Sequence, residues 1–139
     1  MNDVHFAIQA DVHPTEDESK VKHAIMTLFP FVKLRRIPDS DGRVTLIGET
    51  EGLEGLMEFR SLLRRERIRA AAKSLMLSSV SDNRLIVYLN KQAAYAGHVS
   101  FATNHGESPL GPITLQIECS DPRSAIEWLV QSDGLIQNR

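Results

Sequence analysis

The chain has 139 residues, 42% of them hydrophobic and 24% charged, and a formal net charge of −2. This composition excludes a disordered protein and supplies a single domain, residues 1–139, able to bury its own core. The one cysteine, Cys119, excludes an intramolecular disulfide and a cysteine-based zinc site.

Val4, Phe6, Ile8, Ala10 and Val12 alternate with mostly polar residues, which predicts a half-buried first strand. Thr15 and Glu18 have capping-box spacing, and Val21, Ala24, Ile25 and Leu28 place one apolar face on the helix that follows, which Pro30 closes. Strands are predicted over residues 31–37 and 43–49, joined as a hairpin by Asp39-Ser40-Asp41-Gly42. Residues 53–79 read as helical, but their apolar stripe changes phase. Leu56, Phe59 and Leu63 share one face and Ile68, Ala71, Ala72 and Leu75 another. Either two helices meet near Arg65 to Arg67, or one helix lies between two packing partners. A strand is predicted over residues 84–90 with Leu85, Val87 and Leu89 inward, then an interruption at 91–97 and renewed alternation at Val99 and Phe101. Ile113, Leu115, Ile117 and Cys119 point one way along a further strand. Asp121-Pro122 is an N-cap with proline at the first helical position, opening a last helix that buries Ala125, Ile126 and Leu129. The expected fold is α+β, an antiparallel or mixed sheet with helices packed on one face.

Charge is concentrated in one segment. Residues 60–98 carry eight Lys and Arg against two acids, which makes this segment +6 and the remainder −8. Six of those cations fall in one short run: Arg60, Arg64, Arg65, Arg67, Arg69 and Lys73. Guanidinium groups present planar donor forks suited to phosphate oxygens. On a continuous helical wheel Arg60, Arg64 and Arg67 form one row, and Arg65, Arg69 and Lys73 a second. The bland alternative is a solvated face on which Glu58 and Glu66 pair with nearby arginines. Asn90, Lys91 and Gln92 follow a strand, where side chains of these types can meet ribose, base edges or a phosphate; a purely structural turn is the competing explanation.

Four stretches together resemble a known family: Pro14-Thr15-Glu16-Asp17, Leu62 to Ile68 (LLRRERI), Leu89 to Gly97 (LNKQAAYAG) and Pro109-Leu110-Gly111-Pro112-Ile113. The resemblance, over roughly residues 4–130, is to an uncharacterised archaeal family of small proteins commonly labelled predicted RNA-binding proteins or exosome subunits. It implies an α+β fold similar to that of the 5S-RNA-binding ribosomal protein.

His5, His13, His23, His98 and His105 lack metal-ligand spacing, Gly48, Gly52 and Gly55 match no phosphate-binding loop, and no serine sits in a nucleophile elbow. No catalytic residue, metal or cofactor is expected. No run approaches the roughly 18 apolar residues of a membrane span, and Met1 to Asp11 lacks the charged leader and apolar block of a signal peptide. The expectation is therefore a soluble, cytoplasmic, non-catalytic RNA-binding domain in archaeal RNA processing or ribosome-related metabolism, monomeric or homodimeric. Its RNA-binding residues would be Arg60, Arg64, Arg65, Arg67, Arg69, Lys73, Asn90, Lys91 and Gln92. The alternative partner is an acidic protein of an RNA-processing assembly, docked on the arginine-rich helix; an anionic small molecule is a more distant rival.

Overall fold

The computed structural model describes residues 3–102 and 110–131. In chain order the elements are β1 (His5–Val12), α1 (Glu18–Leu28), β2 (Arg35–Pro38), β3 (Val44–Glu51), a single 3-10 turn (Leu53–Leu56), α2 (Met57–Arg65), α3 (Arg69–Ser79), β4 (Arg84–Leu89), α4 (Lys91–Tyr95), β5 (Phe101–Ala102), β6 (Ile113–Glu118) and α5 (Pro122–Val130). No helix among the described residues is long and apolar enough to cross a membrane.

The strands form one six-stranded sheet in the order β2-β3-β1-β6-β4-β5, and every pairing among the described residues is antiparallel. Period-two alternation sorts its two faces. Phe6, Ile8, Ala10, Leu46, Ile113, Leu115, Ile117, Leu85, Val87 and Leu89 are buried on the face that the helices cover. His5, Gln9, Glu49, Glu51, Glu118 and Arg84 stand exposed on the other. Val21, Ala24, Ile25 and Leu28 of α1, Phe59, Leu62 and Leu63 of α2, and Ala125, Ile126 and Leu129 of α5 close the core. At its centre the Phe29 ring lies 6.2 Å from Phe6 and 5.4 Å from Phe59. Each such ring contributes about 2–3 kcal/mol by leaving water.

Three local expectations change. Helix α1 is capped by Asp17, which accepts from the Ser19 amide at 3.0 Å, and not by Thr15. Glu18 turns away to make a two-pronged pair with Arg36, at 2.9 and 3.0 Å. Strand β2 starts four residues later than its apolar run suggests. Phe31 is 74% exposed and Val32 is buried, while only Arg35 to Pro38 pair with β3. Gly48 permits this, because a Cβ there would lie 2.5 Å from Val32 Cγ2 and 2.9 Å from the Lys33 carbonyl. Helix α3 buries Ala72 and Met76, with Ile68 partly buried beside them, and leaves Ala71 and Leu75 in water.

Candidate nucleic-acid interface

The phase change in the apolar stripe is a true break between two helices, made without glycine or proline. The Arg67 amide donates to the Arg64 carbonyl and the Ile68 amide reaches back to Leu63, both at 3.2 Å. This is a Schellman ending, whose geometry requires a left-handed residue at the position Arg67 occupies. Arg67 adopts φ 59°, a conformation that glycine takes freely and an L side chain adopts at a cost of about 1–2 kcal/mol. The break rotates α3 relative to α2, so the two arginine rows of a continuous wheel do not exist as such.

Helix α3 begins immediately beyond this elbow, with Ile68 at its cap making no side-chain cap bond and no acid in its first turn. Its first residue is Arg69, and Arg67 stands immediately before the Ile68 cap, so cations flank the positive end of the helix dipole. The one acid in the run from Arg60 to Lys73 is Glu66. It is drawn inward, accepting from the Val99 amide at 3.1 Å while His98 Nδ1 lies 2.7 Å from its other oxygen. Burial pushes the Glu66 carboxyl up, but His98 and the Val99 amide together outweigh it and hold it below the usual carboxylate range. The elbow thus presents Arg65 and Arg67 exposed and Arg64 and Arg69 half-exposed, with its own carboxylate committed elsewhere.

The flanking cations are placed differently. Arg60 Nε donates to the Trp128 carbonyl at 2.8 Å, in the last turn of α5, and its guanidinium lies 4.9 Å from the centre of the Trp128 ring. That side chain closes a helix C-terminus and stacks on an indole, so its charge is largely spent inside the protein. Arg65 approaches Glu58 at 3.6 Å and Lys73 pairs with Glu127 at 2.9 Å, both across exposed surface. Pairs of this kind are worth about 0–1 kcal/mol and yield readily to another anion. Arg69, Lys73 and Glu127 also line a groove of about 370 Å³ between α3 and α5.

Asn90, Lys91 and Gln92 are each placed by contacts of their own. Asn90 caps α4, its side-chain oxygen accepting from the Ala93 amide at 2.8 Å. Lys91 is buried. Its ammonium donates to the carbonyls of Asp11 and Leu110 and to both Glu16 oxygens, at 3.0 and 3.2 Å. All three ammonium hydrogens have acceptors within the fold, which departs from the phosphate contact expected of this residue. Burial raises the Glu16 carboxyl, but the His13 amide and Lys91 more than offset it and leave it lowered. Gln92 is exposed and lines a groove with Lys20, Val21 and Tyr95, on the α1 side of the molecule. Stretches that carry the family resemblance therefore meet as structural ties. Glu16, Lys91 and Leu110 close one, and Glu66 with the Val99 amide, just past the third stretch, closes the other. No local pattern announces these ties, which join residues far apart in the chain.

Part of the acidic excess gathers in one place. Glu49, Glu51 and Glu118, with His5, line a cavity of about 500 Å³ on the open face of the sheet. The helices lie on the other face, so this acidic cluster, which Arg84 opposite Glu118 partly offsets, is held apart from the elbow.

Sheet, helical layer and basic elbow define an α+β protein with one strongly cationic corner. Residues 5–119 match the model of a family described as RNA binding, and the chain belongs to that family. It is 41% identical over 122 residues to a UPF0201 protein of Sulfurisphaera tokodaii, covering 88% of this chain and 83% of that one. It is 42% identical over 120 residues to a UPF0201 protein of Pyrobaculum calidifontis, covering 86% and 83%. The crystal structure of a UPF0201 protein from Methanococcus jannaschii superposes with a TM-score of 0.82 at 32% identity, covering 91% of this chain and 98% of that one.

Proposed function

We propose that the chain is a non-catalytic RNA-binding domain, acting in archaeal RNA processing or ribosome-related metabolism, and that the α2–α3 elbow is its phosphate-contacting surface. Arg64, Arg65, Arg67 and Arg69 form the surface, and Lys73 joins it by exchanging Glu127 for a phosphate. One observation carries the reading: the elbow collects features that oppose stability, and a bound anion relieves the electrostatic ones. An arginine sits in a left-handed conformation, a second arginine opens a helix, and no acid or side-chain cap serves that helix's positive end. Local rules broken together at one place are characteristic of functional sites. The RNA-binding description of the family supports the same partner class.

The test is a salt series on the purified, nuclease-treated chain and its R64A/R65A/R67G variant, binding structured RNA. Each lost phosphate contact removes about 0.7–0.9 from the slope of log affinity against log salt, so the variant's slope falls by about 2–3. An unchanged slope in a folded variant removes the elbow from the interface. Absence of binding by the parent at low salt overturns the RNA reading and leaves the elbow as a docking surface for an acidic protein.

A further inference from the structure

Resting on that reading, we infer that the elbow takes the sugar–phosphate backbone of paired RNA, without sequence preference, and does not hold unpaired bases. Single strands are gripped by stacking successive bases on aromatic side chains. The chain has five Phe, two Tyr and one Trp, all of them among the described residues, and each can be placed. Phe6, Phe29 and Phe59 are buried in the core, and Phe101 packs against it partly buried. Tyr88 belongs to the open face of the sheet, where it pairs across β6 with Thr114. Phe31 is exposed between α1 and β2, and Tyr95 on α4 presents its ring to His23, 5.1 Å away. Neither belongs to α2 or α3. The indole of Trp128 meets the basic run beneath the Arg60 guanidinium, and the exposed His98 ring beside the elbow is engaged by Glu66 at 2.7 Å.

The elbow therefore offers donors with no Phe, Tyr or uncovered indole as a stacking platform. The backbone that carries these donors is held in place by two packed helices and the Glu66 tie to Val99. A duplex presents phosphates already held in a rigid array, whereas a flexible strand must surrender conformational freedom to match fixed donors. Arginines spaced by a fixed backbone, without Phe or Tyr beside them, favour the pre-organised partner.

The experiment compares three hairpins of unrelated sequence, with stems of about 16 base pairs, against three unpaired strands of equal nucleotide number. Affinities for the full chain are measured at one low salt concentration, while emission of Trp128, the single tryptophan, is followed. The hairpins are expected to bind within about threefold of one another and at least about tenfold tighter than the strands, with indole emission unquenched. Unpaired strands binding as tightly as hairpins, or quenching most of the indole emission by stacking, overturn the inference while leaving RNA binding intact. One hairpin preferred tenfold over the others overturns its sequence independence. If neither class binds, the RNA-binding reading itself fails, and this inference fails with it.

Discussion

Replacing Arg67 with glycine should stabilise the protein and weaken its hold on RNA at the same time. Arg67 stands at φ 59°, where a side chain costs about 1–2 kcal/mol relative to glycine. Glycine returns part of this through its greater freedom in the unfolded chain, about 0.5–1 kcal/mol. The balance is a gain of about 1 kcal/mol, which raises the melting temperature by about 3–4 °C for a domain of this size. In urea the midpoint moves up by about 0.5 M with an unchanged slope. The same substitution deletes one exposed guanidinium, so RNA affinity at low salt falls about fivefold and the salt slope drops by about 0.7–0.9. Arg67→Ala serves as the control, because it removes the charge and keeps the backbone penalty, so affinity falls and stability does not rise. A glycine variant that is no more stable than the parent refutes the strain argument. One that is more stable yet binds RNA as tightly as before refutes the elbow as a phosphate contact.

Lys91→Met should destabilise the fold by about 3–5 kcal/mol, because the Glu16 carboxylate, 10% exposed, would be left without its cation; urea denaturation measures the loss, and a change below 1 kcal/mol would show the pair to be solvated. Glu66→Ala should accelerate hydrogen exchange at the Val99 amide, which loses its acceptor, whereas Glu66→Gln, which retains an acceptor oxygen, should do so less. Protection unchanged in the alanine variant would dismiss the tie. Glu16 has its carboxyl lowered in the folded state, so its contribution is fully present above the unfolded value of about 4.3 and is lost as pH falls through the folded one. Stability curves of the parent and Glu16→Gln should therefore differ at pH 7 and converge toward pH 3; parallel curves would contradict the shift.

Much of this fold was legible because its signals are local. Alternation alone picked out the inward residues of β1, β4 and β6, and the stripe of Val21, Ala24, Ile25 and Leu28 marked the buried side of α1. The phase change between Leu63 and Ile68 marked the elbow, though local pattern could not separate a break from a helix with two partners. What escaped depends on residues distant in the chain. Lys91 sits after a strand like a loop ligand, and only the fold brings Asp11, Glu16 and Leu110 around it. Arg60 belongs to the arginine run in sequence but to Trp128 in space. Thr15 and Glu18 matched a capping box by spacing, yet Asp17 caps the helix while Arg36 engages Glu18. The arginines of the elbow were legible as charge; the left-handed turn that displays Arg67 was not, since no glycine announces it.

The position of β6 has a consequence for how the protein is made. It lies between β1 and β4, with His5 opposite Glu118, so one edge of the first strand finds its partner only after on the order of a hundred further residues have been translated. At about 5–20 residues per second, the strand waits on the order of ten seconds. Meanwhile β1 can pair with β3, and α1 and α2 can cover part of its apolar face, but its other edge remains open. Such long-range pairing slows folding and leaves an unpaired edge able to join another nascent chain. The C-terminal third of the polypeptide is thus what releases the N-terminal strand from its period of vulnerability, and truncations that remove β6 should accumulate in aggregates.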